Sequence, residues 1–251
     1  MKYSFKNIHS KAKVAIETDK YIIYQTLKSK LYFGGNYLLM KEVADSVEDI
    51  DYYIAACRNF FKDKGVNFIH IASVENTALS KKLKKYLKKE NYNEINLDLY
   101  HLAVEDFMEQ EKSNYKIEFL QRVDFSKYLS FQYRIDLESS NNEWANHNQE
   151  LLYEDIRSEN IKQLIIKDDD KIIGTVNIIE KDDFFEIDNL YVDEKYRKQG
   201  IASHLISFAI KNENKSNVLL VADANDTPKY MYEKMGFKKI SEQDFYLKSD
   251  V

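Results

Sequence analysis

The chain has 251 residues, 44% of them hydrophobic, and a formal net charge of −5. That suffices for one large domain or two of ordinary size with real cores, and it excludes a disordered chain and a broadly basic nucleic-acid binder. The single cysteine, Cys57, excludes an intramolecular disulfide, and no apolar run approaches the roughly 18 residues of a membrane span, so a cytoplasmic protein without membrane contact is expected.

In chain order, the first predicted element is a strand over residues 35–42. A helix follows over 50–62, where Cys57 lies in an apolar stretch as an inert core residue. Next come a strand over 68–72, a helix over 79–89 and a strand over 93–99. The six lysines of the second helix, Lys81, Lys82, Lys84, Lys85, Lys88 and Lys89, could contact an acidic partner, RNA or a phosphate, but read better as its solvent face. The polar segment 106–116 sets a boundary near residue 115, giving domains 1–115 and 116–251. The first holds 18 basic and 16 acidic residues, the second 19 and 26.

The second half begins with a strand over 116–121 and two helices within 125–156, broken around Ser139-Ser140-Asn141-Asn142. A hairpin over 161–166 and 171–179 turns at Asp168-Asp169-Asp170. Then follow a strand over 185–192, a helix to about residue 212, a strand over 218–222, and a helix from Thr227 to Met235 stopped by Gly236, with a last strand from Phe237. The order β-α-α-β-β-β-α-β-α-β predicts a mixed α/β fold. The first half repeats part of this plan: Leu87-Lys-Lys-Glu-Asn91-Tyr92-Asn-Glu-Ile95 aligns with Tyr232-Glu-Lys-Met-Gly236-Phe237-Lys-Lys-Ile240 in helix stop, aromatic residue and strand.

The most informative junction is Arg197-Lys198-Gln199-Gly200-Ile201-Ala202, between the strand ending at Val192 and the helix beginning near Ile201. The first amides of a helix lack intrahelical acceptors, and the helix dipole adds positive character there. Gly200 and Ala202 leave room for an anion, and Arg197 and Lys198 add charge, so the junction suits a pyrophosphate. It has neither the Lys-Ser/Thr pair of a P-loop nor the three glycines of a dinucleotide fingerprint. The matching place in the first half, Ala44-Asp45-Ser46-Val47-Glu48-Asp49, is acidic and has no glycine, so the first half is not expected to bind the same cofactor.

This junction, with its preceding strand and the later Asn225-Asp226-Thr227-Pro228-Lys229-Tyr230-Met231-Tyr232, resembles the GNAT superfamily of N-acetyltransferases, whose coenzyme A signature is Arg/Gln-x-x-Gly-x-Gly/Ala. The resemblance covers residues 116–251; the first half resembles a degenerate copy. It implies acetyl-CoA as co-substrate, with the pyrophosphate on the amides of Lys198, Gln199, Gly200, Ile201 and Ala202 beside Arg197. The pantetheine arm would lie along Leu190, Tyr191 and Val192, with Asn225 touching it. Pro228, where relatives often carry alanine, is tolerable in a first helical turn. Tyr232 would protonate the departing thiolate, and Glu186 would take the amine's proton directly or through water, with Asp188 in reserve on the same face. The Val192 amide would polarise the carbonyl.

The plainer alternatives are a packed tyrosine and carboxylates that face solvent or bind a cation. The acidic residues Asp136, Glu138, Glu143, Glu150, Glu154, Asp155 and Glu159 would draw a cationic amine, small molecule or peptide, or simply be solvated. Trp144 would fill the core or wall the acceptor site. The five histidines lack metal-ligand spacing, so no metal is expected, and a homodimer is the one protein partner considered. The reading is an N-acetyltransferase, or alternatively a coenzyme A sensor without catalysis.

Overall fold

The computed structural model describes residues 2–26, 28–110, 113–226 and 228–249. Thr227, the expected start of the last helix, and Glu111 and Lys112 of the expected boundary segment lie outside the described residues. In chain order the elements are β1 (Lys13–Glu17), β2 (Tyr21–Gln25), β3 (Tyr37–Met40), α1 (Val47–Phe61), β4 (Phe68–Ala72), α2 (Lys81–Lys89) and β5 (Asn93–Ala103). They continue with β6 (Ile117–Phe119), α3 (Phe125–Ser139), α4 (Asn142–Arg157), β7 (Ile161–Asp168), β8 (Lys171–Glu180), β9 (Phe185–Val192), α5 (Ile201–Asn212), β10 (Asn217–Asp223), α6 (Lys229–Lys234) and β11 (Lys238–Ser249). The predicted order of the second half holds throughout, and the fold is mixed α/β.

Two compact units are discontinuous in sequence. One comprises Met1–Leu99, Ala222–Asp226 and Lys239–Val251; the other comprises Tyr100–Val221 and Thr227–Lys238. The expected cut at residue 115 falls inside the second. Residues after β5 are docked rather than loose: Met108 N–H donates to the Met235 carbonyl (3.1 Å) and the Gln110 amide to that of Lys234 (2.9 Å).

In the first unit the strand order is β1-β2-β3-β4-β11-β5. β3 and β4 are parallel, while β11 runs antiparallel to β4, with Tyr246 opposite Ile71 and Ser249 opposite Phe68. Ile50, Cys57 and Phe61 of α1, Leu83 and Leu87 of α2, and Ile69, Ile71 and Tyr246 of the sheet form its core. Cys57 is fully buried and its thiol is pushed up to about 12 by burial, in keeping with an inert core residue. The hairpin β1–β2 was not predicted, because all of β1 is exposed and buries no apolar face for alternation to mark.

The internal repeat is visible as one shared helix stop. Asn91 and Gly236 both take left-handed φ (64° and 97°). In each copy the stop residue's N–H donates three residues back, to Lys88 and Glu233 (both 3.1 Å). The following aromatic residue's N–H donates five back, Tyr92 to Leu87 (2.9 Å) and Phe237 to Tyr232 (3.1 Å). Only the second stop requires glycine on packing grounds as well, since a Cβ at 236 would meet the Asp106 carbonyl oxygen at 2.5 Å.

In the second unit Tyr100–Ala103 of β5 leads the order β5-β10-β9-β8-β7-β6. Tyr128, Leu129 and Phe131 of α3 and Leu152 of α4 pack on Ile165 and Ile172 of the β7–β8 hairpin. The Asn141 side chain caps α4 by accepting from the Trp144 N–H at 2.9 Å, which explains the break between the two helices.

Candidate active site

β9 and β10 are parallel, but their ladder covers only Phe185–Ile187 against Val218–Leu220. Beyond Ile187, β9 is bulged. Thr175 and Asn177 of β8 face Tyr191 and Asp188, so three residues of β9 span two of β8, and Asn189 sits at φ 48°. The bulge lets the strand depart from β10 just where Leu190, Tyr191 and Val192 follow. Its trace in the sequence is a change of parity: Phe185 and Ile187 are buried at odd positions, Val192 at an even one.

After Val192 the chain makes a short 3-10 turn over Glu194–Tyr196 and enters α5 through two left-handed residues, Lys198 (φ 62°) and Gly200 (φ 73°). Among the described residues no group accepts from the backbone amides of Lys198, Gln199, Gly200, Ile201, Ala202 and Ser203. Six donors without acceptors at a helix start, beside two cationic side chains, are the kind of groups an anion pairs with. Arg197 is braced from behind: its Nε donates to the Val192 carbonyl (3.1 Å), one terminal nitrogen meets Glu194 (3.2 Å), and the guanidinium lies 5.5 Å from the centre of the Tyr191 ring.

The loop is tied to the hairpin and α3 through Asp193. Burial opposes its charge, but the Lys195 N–H, Arg134 (2.8 Å) and Lys171 (3.4 Å) outweigh that and hold the carboxyl below its usual range. A cavity of about 280 Å³ opens beside Gly200 and Ser203, lined also by Gln110, Tyr230, Met231 and Lys234. A phosphate-bearing group thus has donors on α5 and the cation of Lys234 within one concavity. The cavity residues on α6 were not singled out in the sequence; the signal was their spacing at 230, 231 and 234 on one helix face.

Residues 134–248 match the acetyltransferase (GNAT) domain, and residues 3–100 match a domain of unknown function, DUF5613. The C-terminal half is similar to GNAT acetyltransferases. Comparison with curated proteins finds no match. Among solved structures, the chain is similar to a functionally unknown conserved protein from Staphylococcus epidermidis, with TM-score 0.90 and 22% identity over 100% of this chain and 99% of that one. It is similar in fold to a GCN5-related N-acetyltransferase from Kribbella flavida (TM-score 0.60, 10% identity, 94% and 88% covered). It is also similar to a tandem GNAT protein from the clavulanic acid biosynthesis pathway (TM-score 0.53, 8%, 86% and 75%). The fold is tandem GNAT-like.

Within the GNAT domain, Tyr232 lies on α6 and is 7% exposed, its ring centre 5.9 Å from that of Tyr100 and 6.0 Å from that of Phe237. Glu186 is 4% exposed, set in the paired part of β9 between Ile179 and Leu219, whereas Asp188 is exposed. The two carboxylates thus differ sharply in environment despite their shared parity. Asn225 belongs to the segment 222–226 of the first unit, where its side-chain amide approaches Asn96 Oδ1 at 3.4 Å.

The acidic residues of α3 and α4 do not act as one field. Asp136 is buried and accepts from Trp144 Nε1 (3.0 Å) and Asn148 (2.9 Å); burial raises its pKa against these two bonds. Trp144, half-buried, therefore ties the two helices together. Glu138 takes the Tyr191 hydroxyl at 3.1 Å and Arg134 at 3.3 Å. Glu143 and Glu150 are exposed. No group of residues fit to hold a metal ion is found among the described residues, and none of their helices is long and apolar enough to cross a membrane.

Proposed function

We propose that the GNAT domain transfers an acetyl group from acetyl-CoA to a primary amine of a small molecule or peptide by direct attack. The observation that carries this is the row of six unmatched amides from Lys198 to Ser203, which stands beside a cavity lined by Gly200, Ser203 and α6 and follows the strand that has left its β10 ladder. Acetyl-CoA supplies the activated thioester. The amides of Lys198–Ala202 bind its pyrophosphate, with Arg197 alongside, and the backbone of Leu190, Tyr191 and Val192, paired with β8 but past the end of the β10 ladder, lies along an amide-bearing arm.

The Val192 N–H donates to the carbonyl oxygen as negative charge develops there. Glu186 accepts the proton that the attacking nitrogen must lose, directly or through water. Tyr232 donates its phenolic proton to the sulfur as the C–S bond breaks and the C–N bond forms. The charges of Glu138, Glu143 and Glu150 favour a cationic amine in its approach.

A second reading, coenzyme A binding without transfer, is favoured by the packing of Tyr232 between two aromatic rings and by the burial of Glu186. Coenzyme release measured against polyamines, aminoglycosides, amino acids and peptides separates the two. The transferase reading expects turnover with at least one acceptor and a fall of about 100-fold in kcat for Tyr232→Phe with coenzyme affinity kept. Tight coenzyme binding with no acceptor acetylated would favour the sensor.

A further inference from the structure

The first unit has a cavity of its own, of about 370 Å³, at the carboxyl ends of its parallel strands. The β3–β4 ladder ends at the pair Leu39–Ala72; the cavity is walled there by Met40 and Lys41, past β4 by Val74 and Glu75, and along the β2–β3 hairpin by Ile22, Tyr24, Tyr37 and Leu39. Ligands of open α/β sheets sit in such crevices, and this volume is within the range of about 300–1,000 Å³ common for small-molecule sites. Coenzyme A does not suit it. The start of α1 is filled by its own side chains: Asp49 accepts from the N–H groups of Asp45 (3.2 Å) and Ser46 (3.0 Å), and Ser46 Oγ accepts from the Asp49 N–H (3.1 Å). No donor row like that of Lys198–Ser203 is offered there.

The wall says what would fit. Tyr24 and Tyr37 stack at 4.9 Å with 17° between their planes and give an aromatic side. Four charged residues line the space, two of each sign. Lys41 and Glu17 satisfy each other at 3.2 Å, and Lys41 also holds the Thr18 carbonyl (2.7 Å). The other two are left with capacity. The Lys6 ammonium has no partner among the described residues. Glu75 Oε1 accepts from the Phe5 N–H (3.2 Å) and from the Ser241 hydroxyl, while its Oε2 has none.

The geometry points to a small zwitterion, an α-amino acid with an apolar or aromatic side chain, held with its carboxylate toward Lys6, its ammonium toward Glu75, and its side chain on the Tyr24–Tyr37 wall. A balanced wall with one unspent charge of each sign disfavours polyanions and polycations alike. The proposal is independent of the acetyl-transfer reading.

Calorimetry of the full chain against the protein amino acids tests it, with L-phenylalanine compared with phenylpropionate and phenethylamine, which each lack one charge. L-phenylalanine or another apolar amino acid is expected to bind, and each single-charge analogue to bind at least about tenfold more weakly. Lys6→Gln, on an exposed turn, should weaken amino-acid binding about tenfold and leave phenethylamine unchanged. Leu39→Trp, checked for folding by circular dichroism, should abolish binding by filling the space. Absence of binding by any amino acid at millimolar concentration overturns the proposal. So does equal binding of the analogues, or binding that survives Lys6→Gln unchanged, which would locate the ligand elsewhere.

Discussion

Gly200→Glu is the sharpest perturbation of the candidate site. Gly200 stands at φ 73°, where a residue with a Cβ is strained by about 1–2 kcal/mol. In a chain of this size that lowers the melting temperature by roughly 2–8 °C. The effect on coenzyme is larger. Six amides at this turn have no acceptor among the described residues. A hydrogen bond to a charged group contributes about 1.5–3 kcal/mol, so losing two of the six, before any charge repulsion, costs about 3 kcal/mol. That is a dissociation constant raised by about 100-fold. Titration calorimetry with coenzyme A measures it, with Gly200→Ala as the control that carries the backbone strain without the carboxylate. A Gly200→Glu affinity within about threefold of wild type would refute the cradle.

Asp193→Asn should destabilise the protein at pH 7 by about 1–3 kcal/mol, because Arg134 and Lys171 lose a buried anion. The native carboxyl is held low, so its contribution is present above the unfolded value near about 4 and fades as pH falls through the folded one; urea titrations at neutral and acid pH should converge for wild type and variant. His70 has the opposite chemistry. Burial, against the Phe33 carbonyl, lowers its pKa to about 4, so the unfolded chain binds the extra proton first, and stability drops by up to about 1.4 kcal/mol per unit as pH falls from about 6.5 toward 4. His70→Phe should flatten that slope. Gly236→Ala should cost at least about 2 kcal/mol, through left-handed strain and the Asp106 carbonyl, whereas Asn91→Gly should be neutral or stabilising by up to about 1 kcal/mol; equal effects in denaturant titrations would show that the two stops are not held by the same forces.

Most elements were legible because period and punctuation agree locally. The strands buried on both faces, such as β4 and β8, read as Ile-rich runs interrupted by a few polar residues, and α5 announced itself by Ile201, Leu205, Ile206 and Ala209 on one face. Strand partnership was not legible. Nothing in the pattern of β11 states that it inserts between β4 and β5, since alternation fixes which side chains point inward and not which neighbour is taken. The junction at Arg197–Ala202 could be found because glycine is rare in this chain and here stands beside two basic residues at a strand-to-helix turn. Asp136 could not be separated from its exposed acidic neighbours, because its partner Trp144 lies across a helix break eight residues on.

The strand β11 is made after every other strand of the sheet. Until the ribosome has released residues 238–249, β4 and β5 each present an edge with no neighbour between them, however long ago they were synthesised. The first unit therefore cannot mature as a separate intermediate during translation, as an amino-terminal domain ordinarily does. Any fragment stopped at residue 115 inherits two sticky borders, so a folded DUF5613 region requires a chain that includes residues 238–249.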